Sequence, residues 1–287
     1  MFVLRSRATA SAVAGLAATG SLAATMLFSG TASAATSHTI KVYITKHRVV
    51  HMTSAMHPGV HRFAVRSGKV SAFQLLSVRR GYSDRELARD AAAGPNGGNL
   101  KALKRFTRNV TLLGGVTSVP GKHSTMYVNL PRGHRYIAVD TNATRNLVSK
   151  LHHFKVGGAR VPGSLPQTKT IRAVGDESYA KRPRNIPGHG LVTFANRSED
   201  DHFIVMAKLL PGKTIQDFAD WTKNPSGPPP VQENGGIDTG ALSPGHRFVF
   251  SHPRLPHGRY VLTCFWTDVV TGMPHAFMGM YREINVK

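Results

Sequence analysis

Tyr260–Met280 reads YVLTCFWTDVVTGMPHAFMGM and carries the chain's only cysteine, Cys264. Beyond it come a Pro-His pair at Pro274-His275 and a Gly-Met pair at Gly279-Met280, while His202 stands well upstream in DHFIVMAKL. A lone thiol has three ordinary fates outside the cell: a buried, inert small hydrophobe, a partner in a disulfide between chains, or a metal ligand. Two imidazole nitrogens, one thiolate and one weak thioether are the donor set of a type 1 copper site. A loop tied at Cys264 and again at the last strand brings His275 and Met280 towards one point, and His202 closes the site from the neighbouring strand. The metal-ligand candidates are therefore His202, Cys264, His275 and Met280.

The elements that position these residues read mostly as strands. HTIKVYIT, VHRFAVRS, GLVTFANR, DHFIVMAKL, HRFVFSH, RYVLTCFW and YREINVK are short, β-branched or aromatic, and partly alternating, with Pro-Gly and His-Gly turns between them. SDRELARDAAAG and TIQDFADWTKN predict short amphipathic helices, each opened by a capping Ser or Thr. The pattern also repeats. Pro58-Gly59 matches Pro187-Gly188, and the same offset sets Phe73 against His202. Gly114-Gly115 matches Gly235-Gly236, Pro120-Gly121 matches Pro244-Gly245, Tyr136 matches Tyr260, and Asp140 matches Cys264. The expected fold class is all-β: two tandem Greek-key β-sandwiches, each with a short helical insertion. The expected units are residues 38–157 and 171–287, joined by a Pro- and Gly-containing linker at 158–170.

At these residues the second unit resembles the cupredoxin family of plastocyanin-like, type 1 blue copper domains. The resemblance is carried by Tyr260, Cys264, Pro274-His275, Gly279-Met280 and Val286, with Asn196 and His202 upstream, and it covers Pro187 to Lys287. It implies a β-sandwich that holds one copper ion on His202, Cys264, His275 and Met280 and shuttles single electrons. Two departures stand out. The ten residues between Cys264 and His275 make a longer loop than the shortest sites of the family have. The family also usually places Asn directly after the first His, where it hydrogen-bonds near the thiolate, and here that residue is Phe203. The first unit resembles the family in outline only. It has Phe73 and Asp140 where the second has His202 and Cys264, and His152 and His153 are followed by no Gly-Met, so it reads as a degenerate copy without metal ligands.

Bulk properties bound the setting. Residues 1–34 have a signal-peptide pattern: basic Arg5 and Arg7, an Ala-rich apolar stretch, and small residues at Ala32 and Ala34 before the expected cut. The chain holds 37 Lys and Arg against 15 Asp and Glu, a net charge of +22, of which the leader carries only the two arginines. The positive charge is scattered rather than striped, and no nucleic-acid-binding motif accompanies it. Beyond the leader no apolar run is long enough to span a bilayer. His47, His51, Met52, Met56, His57 and His61 cluster within HRVVHMTSAMHPGVH, but their spacing fits no defined site.

Other chemistries fail on residue types. No His-x-His pair and no His beside Cys264 is present to bridge to further copper ions, there is no Gly-x-Ser-x-Gly elbow, and a single cysteine excludes a Cys2His2 zinc site. The expectation is a secreted or cell-wall-associated protein that is not an enzyme. It binds one copper ion for single-electron transfer or copper handling, with a redox or copper-exchange protein as partner and anionic cell-wall polymers as a second contact. The alternative is a metal-free tandem sandwich that binds polymers or proteins at the cell surface.

Overall fold

The computed structural model describes residues 38–287 except 96, 176 and 233. The expected leader, residues 1–34, lies outside the described residues. The first half runs β1 (His38–Ile44), β2 (Val50–His51), β3 (Ala55–Met56), β4 (Gly59–Ser67) and β5 (Ser71–Val78). Helices α1 (Asp84–Ala93) and α2 (Leu100–Asn109) follow, then β6 (Val110–Ser118), β7 (Ser124–Leu130), β8 (Gly133–Asp140) and β9 (His152–Val156). The second half runs β10 (Thr170–Val174), β11 (Ser178–Tyr179), β12 (Asn185–Ile186), β13 (Gly190–Arg197), β14 (Val205–Lys208), α3 (Ile215–Lys223), β15 (Ile237–Leu242), β16 (Arg247–His252), β17 (Gly258–Thr263) and β18 (Tyr281–Val286).

These strands form two sheets that face each other. One has the order β11-β10-β13-β16-β7-β4-β1-β2, the other β12-β18-β17-β14-β15-β6-β5-β8-β9-β3. Each order reads alike from either edge, first-half strands mirroring second-half ones. The stretch between β9 and β10, the expected linker, has no regular structure, yet the two halves do not hang apart on it. Both sheets run through both halves. β7 pairs antiparallel with β16, Val128 facing Phe248, and β6 pairs antiparallel with β15, Gly115 facing Gly240.

The seam depends on small residues. A Cβ on Gly240 would lie 2.6 Å from the Gly115 Cα and 2.5 Å from Gln74 Oε1, and one on Gly115 would lie 2.0 Å from the Phe73 carbonyl oxygen. Buried Gln74 ties the junction like an extra strand. It accepts from the Ala241 N–H at 2.8 Å and donates to the Ala241 and Gly114 carbonyls at 3.0 and 3.1 Å.

Burial follows from the layering. On β1 the pattern alternates, with Ile40, Val42 and Ile44 inward and Lys41 and Tyr43 outward, because only one face is covered. β5 is buried along nearly its whole length. Phe73 and Leu75 enter the inter-sheet core with Phe63, Phe194, Phe248 and Phe250, while Leu76 and Val78 face a second core under the helices with Leu87 and Phe106. The helical insertion of the first half is therefore two helices, not the one expected. α2 was hidden in the sequence between basic residues, although Leu103 and Phe106 recur at helical spacing and Asn99 caps it by accepting from the Ala102 N–H. Asp90 on α1 locks the pair. It is fully buried and accepts from Tyr82, Arg89 and Arg105, and Arg105 holds its carboxyl well below the usual carboxylate range despite burial. The second insertion is α3 alone, opened by a capping box between Thr214 and Asp217.

Substituting Gly240→Ala forces the seam apart or strains it. Chemical denaturation is expected to show a loss of about 1–3 kcal/mol, the usual range for an overpacked site.

Candidate metal centre

At one end of the second half, three donor atoms meet. The Nδ1 atoms of His202 and His275 are 3.0 Å apart, and His275 Nδ1 is 3.9 Å from the Cys264 sulfur. All three donors lie within 4.8 Å of one another, and all three side chains are fully buried. Such separations suit ligands that share one ion at about 2.0–2.3 Å from each.

Local structure explains the convergence. His202 sits in an isolated bridge just before β14 rather than within a regular strand, exchanging main-chain hydrogen bonds with Leu242 at 3.1 and 2.7 Å. The turn before it is clamped by Asn196, whose amide donates to the Asp200 and Leu242 carbonyls at 2.6 and 2.8 Å and accepts from the Ser198 N–H at 3.0 Å and hydroxyl at 2.6 Å. Cys264 is the first residue past β17. The long loop beyond it is not slack, because it closes on itself. Thr267 bridges to Pro274, the Asp268 N–H reaches the Met273 carbonyl at 2.9 Å, and the His275 N–H reaches the Trp266 carbonyl at 2.9 Å. The Asp268 carboxylate binds the Val270 and Thr271 N–H groups at the tip. Two residues beyond Cys264 the chain is thus handed back to His275, and loop length ceases to matter. A single 3-10 turn, His275–Met278, ends at Gly279, whose φ of 107° needs glycine.

Met280 is fully buried, its N–H bonded to the His275 carbonyl at 2.9 Å and its own carbonyl accepting from the Thr263 hydroxyl at 2.9 Å. Its main chain therefore lies between the ligand loop and the end of the Cys264 strand.

Two main-chain N–H groups point at the sulfur, those of Phe203 at 3.5 Å and Trp266 at 3.4 Å. The Phe at position 203 does not leave the thiol unsupported, since the backbone supplies that bond whatever the side chain. Tyr179 pins the two carrying segments together, its hydroxyl donating to the Phe203 carbonyl at 2.7 Å and the Thr263 carbonyl at 3.2 Å. Nothing in the sequence flags Tyr179, which comes from a two-residue strand far from either segment.

The electrostatics favour neutral donors until something replaces their protons. Burial pushes the Cys264 thiol up to about 12, partly countered by the two N–H groups. Burial also pulls His202 down to about 3, helped by the neighbouring His275, and His275 down to about 4 against the pull of Asp268. Neutral imidazoles present lone pairs, and a soft cation that displaces the thiol proton repays the cost of a buried thiolate. The Nε2 atoms of both histidines are buried with no hydrogen-bond partner. Donor softness and number thus fit copper. A second group, unread in the sequence, brings Glu177, Asp200 and Asp268 carboxylates beside His275. SEDDHF carried part of that signal.

In the first half, Phe73 stands directly opposite Asp140 across the β5–β8 ladder. Asp140 is buried and takes an ion pair from Arg48 at 2.7 Å and the Ala72 N–H at 2.9 Å. Among the described residues no group of three close ligand types occurs there. His47, His51, His57 and His61 make no such group either; His61 instead bonds the His57 carbonyl at 2.7 Å.

No family model and no curated protein matches this chain. Among solved structures it is similar to reduced auracyanin from the photosynthetic bacterium Roseiflexus castenholzii, at 22% identity and a TM-score of 0.28, over 43% of this chain and 99% of that one. It is also similar to a purple cupredoxin from Nitrosopumilus maritimus, at 16% identity and a TM-score of 0.26, over 42% of this chain and 99% of that one. A multicopper oxidase from Pediococcus acidilactici spans more, 88% of this chain and 59% of that one, at 11% identity and a TM-score of 0.25. At scores of this size the likeness decides nothing about this chain.

Removing the Asn196 clamp tests how the site is held. Asn196→Ala removes four hydrogen bonds and leaves the buried Ser198 N–H without a partner, and unfolding is expected to lose about 1–3 kcal/mol. Affinity for Cu(II), followed by titration, is expected to fall about 10- to 100-fold, as when supporting bonds of a metal site are cut.

Proposed function

We propose that this chain is a secreted, cupredoxin-like copper protein that binds one ion in its second half and passes single electrons, or copper itself, to a partner protein. The observation that carries the reading is the convergence of His202 Nδ1, His275 Nδ1 and Cys264 Sγ in a dry pocket held by main-chain hydrogen bonds. Met280, whose main chain ties the loop to the Cys264 strand, would add the weak thioether donor. A bound copper ion would supply a one-electron couple there. The chain's own residues supply the rest. The loop ladder and the Leu242 bridge hold the donors in place on a change of charge, so little rearranges. The Phe203 and Trp266 N–H groups stabilise charge on sulfur, which tunes the potential. Burial keeps water from the donors.

The first half is read as a metal-free copy with a structural duty. Its strand β6 pairs with β15, and Leu242, which faces Leu113 across that seam, bridges to His202 on its other edge. The Ser243 hydroxyl accepts from the Leu112 N–H at 2.9 Å and donates to Asp201, the neighbour of His202, at 2.5 Å. The first half thus braces a ligand from behind. Among the described residues no helix is long and apolar enough to cross a membrane. The basic surface suits contact with anionic wall polymers.

Titrating purified protein with Cu(II) is expected to give an intense visible charge-transfer band at one equivalent, lost on reduction and absent in Cys264→Ser and His202→Ala. Copper at about a hundred times its dissociation constant should add about 2.7 kcal/mol to unfolding, seen as a rise in Tm. Met280→Leu should keep a band but shift the potential. A colourless protein whose Tm ignores copper would sink the copper reading and leave the metal-free surface-binding alternative.

A further inference from the structure

Beside the metal centre lies a cavity of about 570 Å³ between the helices of the first half and the strands of both halves. We propose that it is a binding site for an uncharged aromatic molecule of two or three rings, and that its inner wall is made by residues adjoining the ligands. The size lies in the range of small-molecule sites. The wall is chiefly apolar, with Leu87, Phe106 and Leu147 on the side of the helices and Phe203, Phe265 and Trp266 on the side of the metal centre. Four aromatic residues around one space favour a flat partner that can stack or meet them edge-on.

Most polar groups of the wall are already engaged; the exception deep in the wall is Trp266 Nε1, buried without a hydrogen-bond partner. Gln74 spends its amide on the Ala241, Gly114 and Leu75 main chain. The Thr239 hydroxyl accepts from the Ile204 N–H, and Arg89 is paired with Asp90. A charged guest would lose its hydration, with only the exposed Asp238 carboxylate in the lining to meet a cation and no unpaired cation to meet an anion. An apolar one loses nothing and gains burial.

The cavity is a consequence of sequence. α1 turns Ala88 and Ala92 towards it, where α3 in the second half covers its own sheet with Phe218 and Trp221. Interiors normally close-pack, and a space of this size is unfavourable dry and, with an apolar lining, unfavourable wet. Small residues kept at a helix face that could carry large ones leave room for something else. The inner wall includes Phe203 and Trp266, whose N–H groups both reach the Cys264 sulfur. A guest therefore sits against the two residues that support the thiol. Binding itself does not rest on the copper reading and can be tested on metal-free protein.

The test uses the full chain without added metal and the uncharged fluorophore N-phenyl-1-naphthylamine. Saturable binding of one equivalent is expected, with emission enhanced and shifted to shorter wavelength. Trp266 and Trp221 are the only tryptophans, so in Trp221→Phe the same titration should quench the remaining Trp266 emission with the same midpoint. Filling the space by Ala88→Trp, or from its more exposed rim by Ala92→Trp, should weaken binding at least tenfold while Tm holds or rises. Absence of saturable binding, or unchanged affinity in both folded filling variants, overturns the proposal. The copper titration is read separately, so either result can fail alone.

Discussion

The candidate metal centre depends on main-chain hydrogen bonds that fix two loop segments against each other. The Leu242 bridge sets the height of His202, and the Trp266–His275 and Met273–Asp268 bonds fold away the excess of the ligand loop. The three donors are then brought together in a fully buried space. Holding buried lone pairs and a thiol so close is unfavourable in itself, and the surrounding sheet must over-determine the geometry. Asn196 and Tyr179 do so at two corners, each spending its polar atoms on backbone that carries a donor.

The same constraint explains why the halves are fused rather than strung together. A sandwich that ended at β15 would expose the strand on which His202 leans. In this chain β6 covers that edge, Gly115 and Gly240 let the strands approach, and Gln74 stitches across them. An edge strand is a liability that proteins cover, and the first half covers this one. At the corresponding strand end of the first half, Asp140 is paired with Arg48 and lies opposite Phe73.

Two helices over the first half and one over the second give the halves different outer faces. The aromatic α3 is packed shut on Phe277 and Tyr281. The alanine-faced α1 leaves a space beneath it that reaches Phe265 and Trp266, next to the thiol-bearing strand end.

Much of this was written in the order of residues. The strands were legible because β-branched and aromatic runs between Pro-Gly turns have few other solutions, and the duplicated Gly-Gly, Pro-Gly and Tyr positions showed that the pattern occurs twice. Cys264, His275 and Met280 could be singled out because their spacing is local, and a local loop has little freedom once its ends are tied. His202 was within reach of the same reasoning only through donor chemistry. What the order of residues left undetermined was whether that distant imidazole faces the thiol, because a single rotation of a strand turns a side chain to the opposite face. It also left undetermined that β6 continues into β15, since main-chain hydrogen bonds between strands carry no side-chain signature. α2 is local and was obscured by the basic residues around Leu103 and Phe106; Tyr179, the carboxylates beside His275 and the cavity under α1 escaped for a related reason. Each is a relation among residues far apart in the chain, and only packing brings those into contact.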